Sequence, residues 1–402
     1  MLKTELVIMK KLLLIFLLPL LGCSQNAEIK PYVDYLKTVE KKSAKDYILE
    51  KFKKHDIVVL CERDHSEFSQ YELIKEIISD DYFKENIENI FTEIGVINLQ
   101  PEITDFLKIR DLDSIYVEKK LNEFQRNSTS YFIWERFNYH YFLRTIYNIN
   151  DNSENQISLY PSDSEFDWEK VHTAKDYKQE YEIEIEPRDS LIAANIINKY
   201  NNLHSDNKKA LIILNIRHAY KVHSHYNNGT IQQNAGKYLS DYFGKRAFFV
   251  VSNRPIFYTK ENKLIYDLIH DGKWDASFNY LEIDNIGFDF KNSIFGKDDF
   301  DLQKITNVDC YSDVFDGFVF YEPIENHDLI EFYDGLVSKD FEKEFFRRYK
   351  IQMEYFENNS TVKKLENKDF RIKVLKELNT KRYRKYPNFE HLIESRNKYL
   401  YN

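Results

Sequence analysis

The chain has 402 residues, 43% of them hydrophobic, which is enough to bury a large core in one big domain or two ordinary ones. Its formal net charge of −9 excludes a general nucleic-acid binder, because such proteins need a basic surface to neutralise phosphates. The 30 tyrosines and 30 phenylalanines accompany abundant Asn, Lys and Ile, as an AT-rich coding sequence would give, and carry no functional weight.

Lys10 and Lys11 precede an apolar run, Leu12 to Leu21, that is too short to span a bilayer comfortably and reads as the hydrophobic region of a signal peptide. It ends in Leu20-Leu21-Gly22-Cys23, which resembles a bacterial lipobox, whose cysteine is diacylated and becomes the first mature residue. Lipid on Cys23 would attach the chain to the cell membrane or outer membrane through buried methylenes. Met9 would open a signal of ordinary length, with Met1 to Ile8 ahead of it. Residues 23–45 are polar and weakly patterned, as expected of a tether. Export implies a disulfide-permissive compartment, but apart from Cys23 only Cys61 and Cys310 remain, and neither has a CxxC context.

The stretch Asp56 to Glu72, DIVVLCERDHSEFSQYE, organises the rest of the chain. Ile57 to Leu60 reads as a buried strand, and Phe68, Tyr71, Ile74 and Ile78 have helical spacing. Between them lie Cys61, Glu62, Arg63, Asp64 and His65. Ligands bind where loops and helix N-termini meet at the carboxyl ends of strands, so this turn is a site candidate. The competing reading is a solvated loop in which Asp64 or Ser66 caps the helix. Cys61 reads as a small residue packed at a strand end rather than as a nucleophile.

Asn89 to Val96, NIFTEIGV, is a second strand, and Glu93 within it must either sit at an exposed end or be held by a partner. Residues 101–150 read as a helical insertion, with Tyr131, Trp134, Phe137 and Tyr141 forming a core-facing stripe. Ile157 to Tyr160 is a third strand, followed by Pro161, Ser162 and Asp163. The acidic stretch Asp176 to Glu186 reads as a solvated face. Pro187 then marks a helix entrance, RDSLIAANIINKY. A cation in a first turn opposes the helix dipole, so Arg188 needs a carboxylate or an anionic substrate nearby.

Ala210 to Asn215, ALIILN, is the most hydrophobic strand and leads directly into Arg217 and His218, with Tyr220 and Lys221 beyond. A helix is expected over Gly229 to Gly244, and strands over Arg246 to Ser252 and Phe315 to Tyr321. Asp328 to Asn402 reads as helical, with an excess of Lys and Arg between Lys363 and Lys385 that is most simply an exposed charged face. The alternation predicts an α/β fold: a mainly parallel sheet with helices on both faces, a helical insertion and a helical C-terminal extension. The expected division is a signal peptide over 1–22, a tether over 23–45, the α/β domain over 46–325 and the extension over 326–402.

These motifs together resemble the superfamily of erythromycin esterases, TIKI/TraB proteins and ChaN-like haem-uptake lipoproteins, whose shared sign is a strand ending in Gly-Glu-x-x-His. Leu60-Cys61-Glu62-Arg63-Asp64-His65 matches it, with Tyr71 and Glu72 at the downstream helix position. Glu93 matches the glutamate of the next strand, Arg188 the arginine opening a helix, and Asn215, His218 and Lys221 the later Asn-x-x-His element. The segment Asn234 to Ser252 resembles the helix-Gly-strand passage of the esterases. Cys61 replaces the usual glycine, and Ser66 follows the histidine where glycine is common.

The resemblance implies one scaffold with several chemistries. In the esterase reading His65 is a general base that activates water, Glu62 or Glu93 orients it, and Arg188 and His218 stabilise the oxyanion or protonate the leaving group of a small-molecule substrate. The GxSxG elbow of a conventional α/β-hydrolase is absent from the sequence. No cofactor is expected in this reading. The alternatives are zinc or a similar metal held by His65, His218, Glu62 and Glu93, haem on His or Tyr ligands, and a non-catalytic envelope binding protein.

Overall fold

The computed structural model describes residues 26–128, 136–185, 187–203, 208–261 and 263–400. The signal-peptide region, Cys23, and Tyr131 and Trp134 of the expected aromatic stripe lie outside the described residues, as does Glu186 of the acidic stretch.

Seven strands build the central sheet: β1 Ile57–Glu62, β2 Asn89–Val96, β3 Ser158–Asp163, β4 Ala210–Asn215, β5 Ala247–Ser252, β6 Asn285–Asp289 and β7 Gly317–Tyr321. Their order is β6-β7-β5-β1-β4-β2-β3. Neighbours are parallel except β6 and β7, which run antiparallel. The helices that pack on the sheet or frame its ends include α1 Lys30–Thr38, α2 Ala44–Lys51, α3 Ser69–Ser79, α4 Arg136–Asp151, α5 Arg188–Asn201, α6 Ala235–Phe243, α7 Lys273–Tyr280 and α8 Phe389–Asn397.

The central strands read as unbroken apolar runs because both of their faces are covered. On β1, Ile57, Val59 and Cys61 join one core with Ile192 and Ile196 of α5, Leu239 of α6 and Phe278 of α7. Val58 and Leu60 join a second core with Leu73 and Ile77 of α3, Ile48 of α2 and Ile146 of α4. Each fully buried Ile or Leu contributes roughly 1.5–3 kcal/mol, so these layers hold the sheet and fix its register. In that register Glu62 stands opposite Asn215, and Cys61 opposite both Leu214 and Val251. The carboxyl ends of β1, β4 and β5 therefore finish level.

The α/β fold with a mainly parallel sheet is the one expected, and several boundaries differ from the sequence reading. The tether reading of residues 23–45 fails from Lys30 onward, because Tyr32, Val33 and Leu36 of α1 are buried. β3 continues through Pro161 to Asp163, since an edge strand tolerates a missing N–H. The helix expected from Gly229 begins only at Ala235, because Ile231–Gln232 pairs with Ser224–His225 in a short antiparallel ribbon. The insertion comprises Gln100–Phe106, Ser114–Asn127 and α4. The C-terminal extension opens with a strand, Leu329–Glu331, that pairs with Arg382–Arg384, and its helices begin only at Glu342. β6 was not expected; it sits at the sheet edge, where Gly287 lets the Tyr47 ring of α2 pack against it. Among the described residues no helix is long and apolar enough to cross a membrane.

Candidate functional site

β1 ends at the buried Glu62, and the chain then turns through Arg63 to Phe68 before α3 begins. This turn is not a solvated loop. The Arg63 side chain is 0% exposed and donates Nη1 to Glu67 Oε2 at 3.0 Å and to Ser69 Oγ at 2.9 Å. Its Nη2 donates to Asn253 Oδ1 at 2.6 Å and to the Tyr321 carbonyl. Gln70 accepts from Arg63 N and donates back to the Asp64 carbonyl at 2.7 Å, while Asn138 of α4 donates to the carbonyls of His65 and Glu67 at 2.8 and 2.9 Å. Asn215 holds the Arg63 carbonyl from β4. Glu67, not Asp64 or Ser66, caps α3 by accepting from Ser69 N and Gln70 N at 2.8 and 3.0 Å. A buried charge is tolerated only when paired and hydrogen-bonded, which is the condition met here.

Held by this loop, His65 turns Nδ1 to Glu62 Oε2 at 3.0 Å, and Tyr71 donates to the other Glu62 oxygen at 2.6 Å. A carboxylate only accepts, so Nδ1 carries the proton and Nε2 is the basic nitrogen. Nε2 faces Glu93 Oε1 at 3.9 Å. Glu93 is buried, and its other oxygen accepts from Asn215 N at 2.7 Å, so the glutamate expected to need a partner has one.

Arg188 opens α5 against the helix dipole because Asp163, at the end of β3, receives it in two parallel bonds, Nε to Oδ1 and Nη2 to Oδ2, both 2.8 Å. Nη2 also lies 3.8 Å from Glu93 Oε1. Burial works against the Arg188 charge, but Asp163, Glu93 and Asp189 together raise its pKa, so it is a fixed cation. Its Nη1 reaches His218 Nε2 at 3.4 Å, and His218 Nδ1 donates to Asp189 Oδ2 at 2.8 Å. Asp189 also accepts from Arg217 Nη1 at 3.1 Å and Ala235 N at 2.9 Å. Burial alone would raise the Asp189 pKa; the His218 hydrogen bond, the Arg217 charge and the Ala235 N–H overcome it and hold the carboxyl down at about 2.

The five residues singled out from sequence, Glu62, His65, Glu93, Arg188 and His218, are joined by contacts at the carboxyl edge of the sheet. They form two histidine-carboxylate pairs, Glu62-His65 and Asp189-His218, on either side of Glu93 and Arg188. Because Arg188 only donates, His218 Nε2 is the acceptor and its Nδ1 carries the proton. Lys221 stands apart, bound to Asp316 at 2.6 Å. Burial pushes the Cys61 thiol up to about 11, with Arg254 acting the other way, which fits a packing residue; Cys61 and Cys310 are both free. Asp163, Asp189 and Arg254, whose Nη1 donates to the Glu62 carbonyl at 2.9 Å, were not recognised in the sequence. The arginine in the first turn of α5 was the signal for the two aspartates.

A metal held by His65, His218, Glu62 and Glu93 does not fit this arrangement. The Arg188 guanidinium bridges His218 Nε2 and Glu93 Oε1 at 3.4 and 3.8 Å, the position that a shared ion would take. Among the described residues no group of three or more His, Cys, Asp or Glu side chains is placed to hold a metal.

No protein-family model and no curated protein matches the sequence. Solved structures that it resembles include an erythromycin esterase EreC mutant in its open conformation, at TM-score 0.47 and 10% identity, covering 73% of this chain and 96% of that one. A succinoglycan biosynthesis protein is similar at TM-score 0.45 and 11% identity, covering 75% and 97%. The haem-binding ChaN of Campylobacter jejuni is similar at TM-score 0.32 and 14% identity, covering 58% and 95%.

Proposed function

We propose that the chain is an esterase-like hydrolase in which His65 is the general base. The observation that carries this reading is the His65 ring, fixed through Nδ1 on Glu62 with Nε2 facing Glu93, whose same oxygen lies 3.8 Å from Arg188. A water between Nε2 and a bound ester would lose its proton to His65, and Glu62 would stabilise the imidazolium that forms. Arg188, locked on Asp163 and permanently charged, meets the oxyanion as it develops, at no cost of reorganisation. The absence of a GxSxG elbow fits direct attack by water rather than a serine nucleophile. We further propose that Cys23 is lipidated, which would hold this activity at an envelope membrane.

A general base contributes about 10²–10⁴-fold to rate. His65→Gln keeps bulk and hydrogen bonding but is no base at neutral pH, so hydrolysis across a panel of p-nitrophenyl and lactone esters should fall by that factor. The melting temperature should stay within a few degrees of wild type. Zinc or haem bound one-to-one in the purified wild type, and lost on substituting His65 or His218, would overturn the reading in favour of a metal or haem binder.

A further inference from the structure

Toward the opposite edge of the sheet from β3, α7, the loop leading into β6, the carboxyl end of β7 and α8 border a half-open cavity of about 230 Å³. At a liquid-water share of about 30 Å³ per molecule, this is room for a ligand of several heavy atoms rather than one solvent molecule. Asp275 of α7 lines it and is 8% exposed. Among the described residues its carboxylate makes no hydrogen bond or ion pair with another side chain. Arg396 of α8 lies on the same wall, but its guanidinium is taken by Glu325 at 2.5 Å and by Asn397. Burying a carboxylate is costly, and burial accordingly pushes the Asp275 pKa up to about 7, with the Arg396 charge offsetting only part of that cost.

The rest of the cavity defines what would relieve that cost. Exposed Glu282 and Asp284 stand at the rim and give the mouth negative charge, while Ile283, Phe320 and Pro323 supply an apolar wall. A metal ion is disfavoured, since no three ligating side chains converge among the described residues. We infer that this cavity binds a small organic cation, a primary ammonium on a short aliphatic chain, with Asp275 as its counter-charge and the Ile283, Phe320 and Pro323 wall against its methylenes. This site is separate from the His65 crevice and does not depend on the hydrolase reading.

The test is calorimetric titration of the detergent-solubilised full chain with 1,4-diaminobutane and n-butylamine, beside n-butanol and magnesium chloride. Both amines should bind with Kd of about 1 mM or tighter, whereas n-butanol and magnesium should not. Asp275→Asn should weaken amine binding by about tenfold or more, and Asp284→Lys, at an exposed rim position, should weaken it severalfold without touching the fold. Equal binding of amine and alcohol, binding of magnesium instead, unchanged amine affinity in either variant, or no heat from either amine at about 20 mM would each overturn the inference.

Discussion

Replacing Asp189 by Asn removes a charge that organises one half of the crevice. Asp189 is buried, and His218, Arg217 and the Ala235 N–H all donate to it. A carboxyl held at about 2 against an ordinary 3.8, at 1.36 kcal/mol per tenfold change in the proton equilibrium, contributes about 2 kcal/mol at neutral pH. Because the folded value lies below the unfolded one, this contribution is fully present above about pH 4 and disappears as pH falls through about 2. Urea denaturation at pH 7 should therefore find Asp189→Asn less stable by about 2 kcal/mol. The carboxyl carbon of Asp189 in wild type should titrate well below the ordinary aspartate range by NMR. Hydrolysis should also fall, since His218 loses its tautomer and Arg188 its orientation. A stability loss under about 0.5 kcal/mol, or an Asp189 resonance titrating near 4, would refute the reasoning.

Glu67→Gln strips the partner from a fully buried arginine and should cost about 3–5 kcal/mol by urea denaturation, with much of that loss recovered when Arg63→Met is added. Gly287→Ala would place a Cβ 2.4 Å from the Tyr47 ring, so it should lower stability by about 1–3 kcal/mol and shift the melting temperature accordingly. Cys23→Ala should abolish incorporation of labelled fatty acid and reduce the membrane fraction; label entering neither form would rule the lipobox out.

The strands that form the centre of the sheet were legible because burial on both faces writes itself as an apolar run. Ile57 to Leu60, Asn89 to Val96 and Ala210 to Asn215 each stood out for that reason, and so did their polar carboxyl ends. β6 was hidden because NIGFD is short and its two large apolar residues are separated by a glycine that exists for Tyr47, a residue more than two hundred positions away. α1 was hidden by composition: three buried residues, Tyr32, Val33 and Leu36, are set among lysines, and the proline of its first turn was the signal overlooked. In the crevice, Glu62, His65, Glu93, Arg188 and His218 were legible as polar residues where apolar elements end. Asp163 and Asp189 were not, because a carboxylate after a strand or at a helix start has ordinary local explanations. Only the neighbouring positions of β2, β3 and β4 bring Asp163 to Arg188.

The Arg63 staple sets a timetable for the whole crevice. The His65 loop is bound to the ends of β4, β5 and β7 and to α3 and α4 through buried hydrogen bonds, so releasing it means breaking the middle of the sheet. Its amides should exchange with solvent only when the domain unfolds globally, among the slowest in the molecule. The His65 ring is therefore fixed in place by the fold itself. In the proposed hydrolysis, any motion that turnover required would fall outside this loop, so the rate of admission or release, rather than assembly of the base, would be the quantity that selection could adjust.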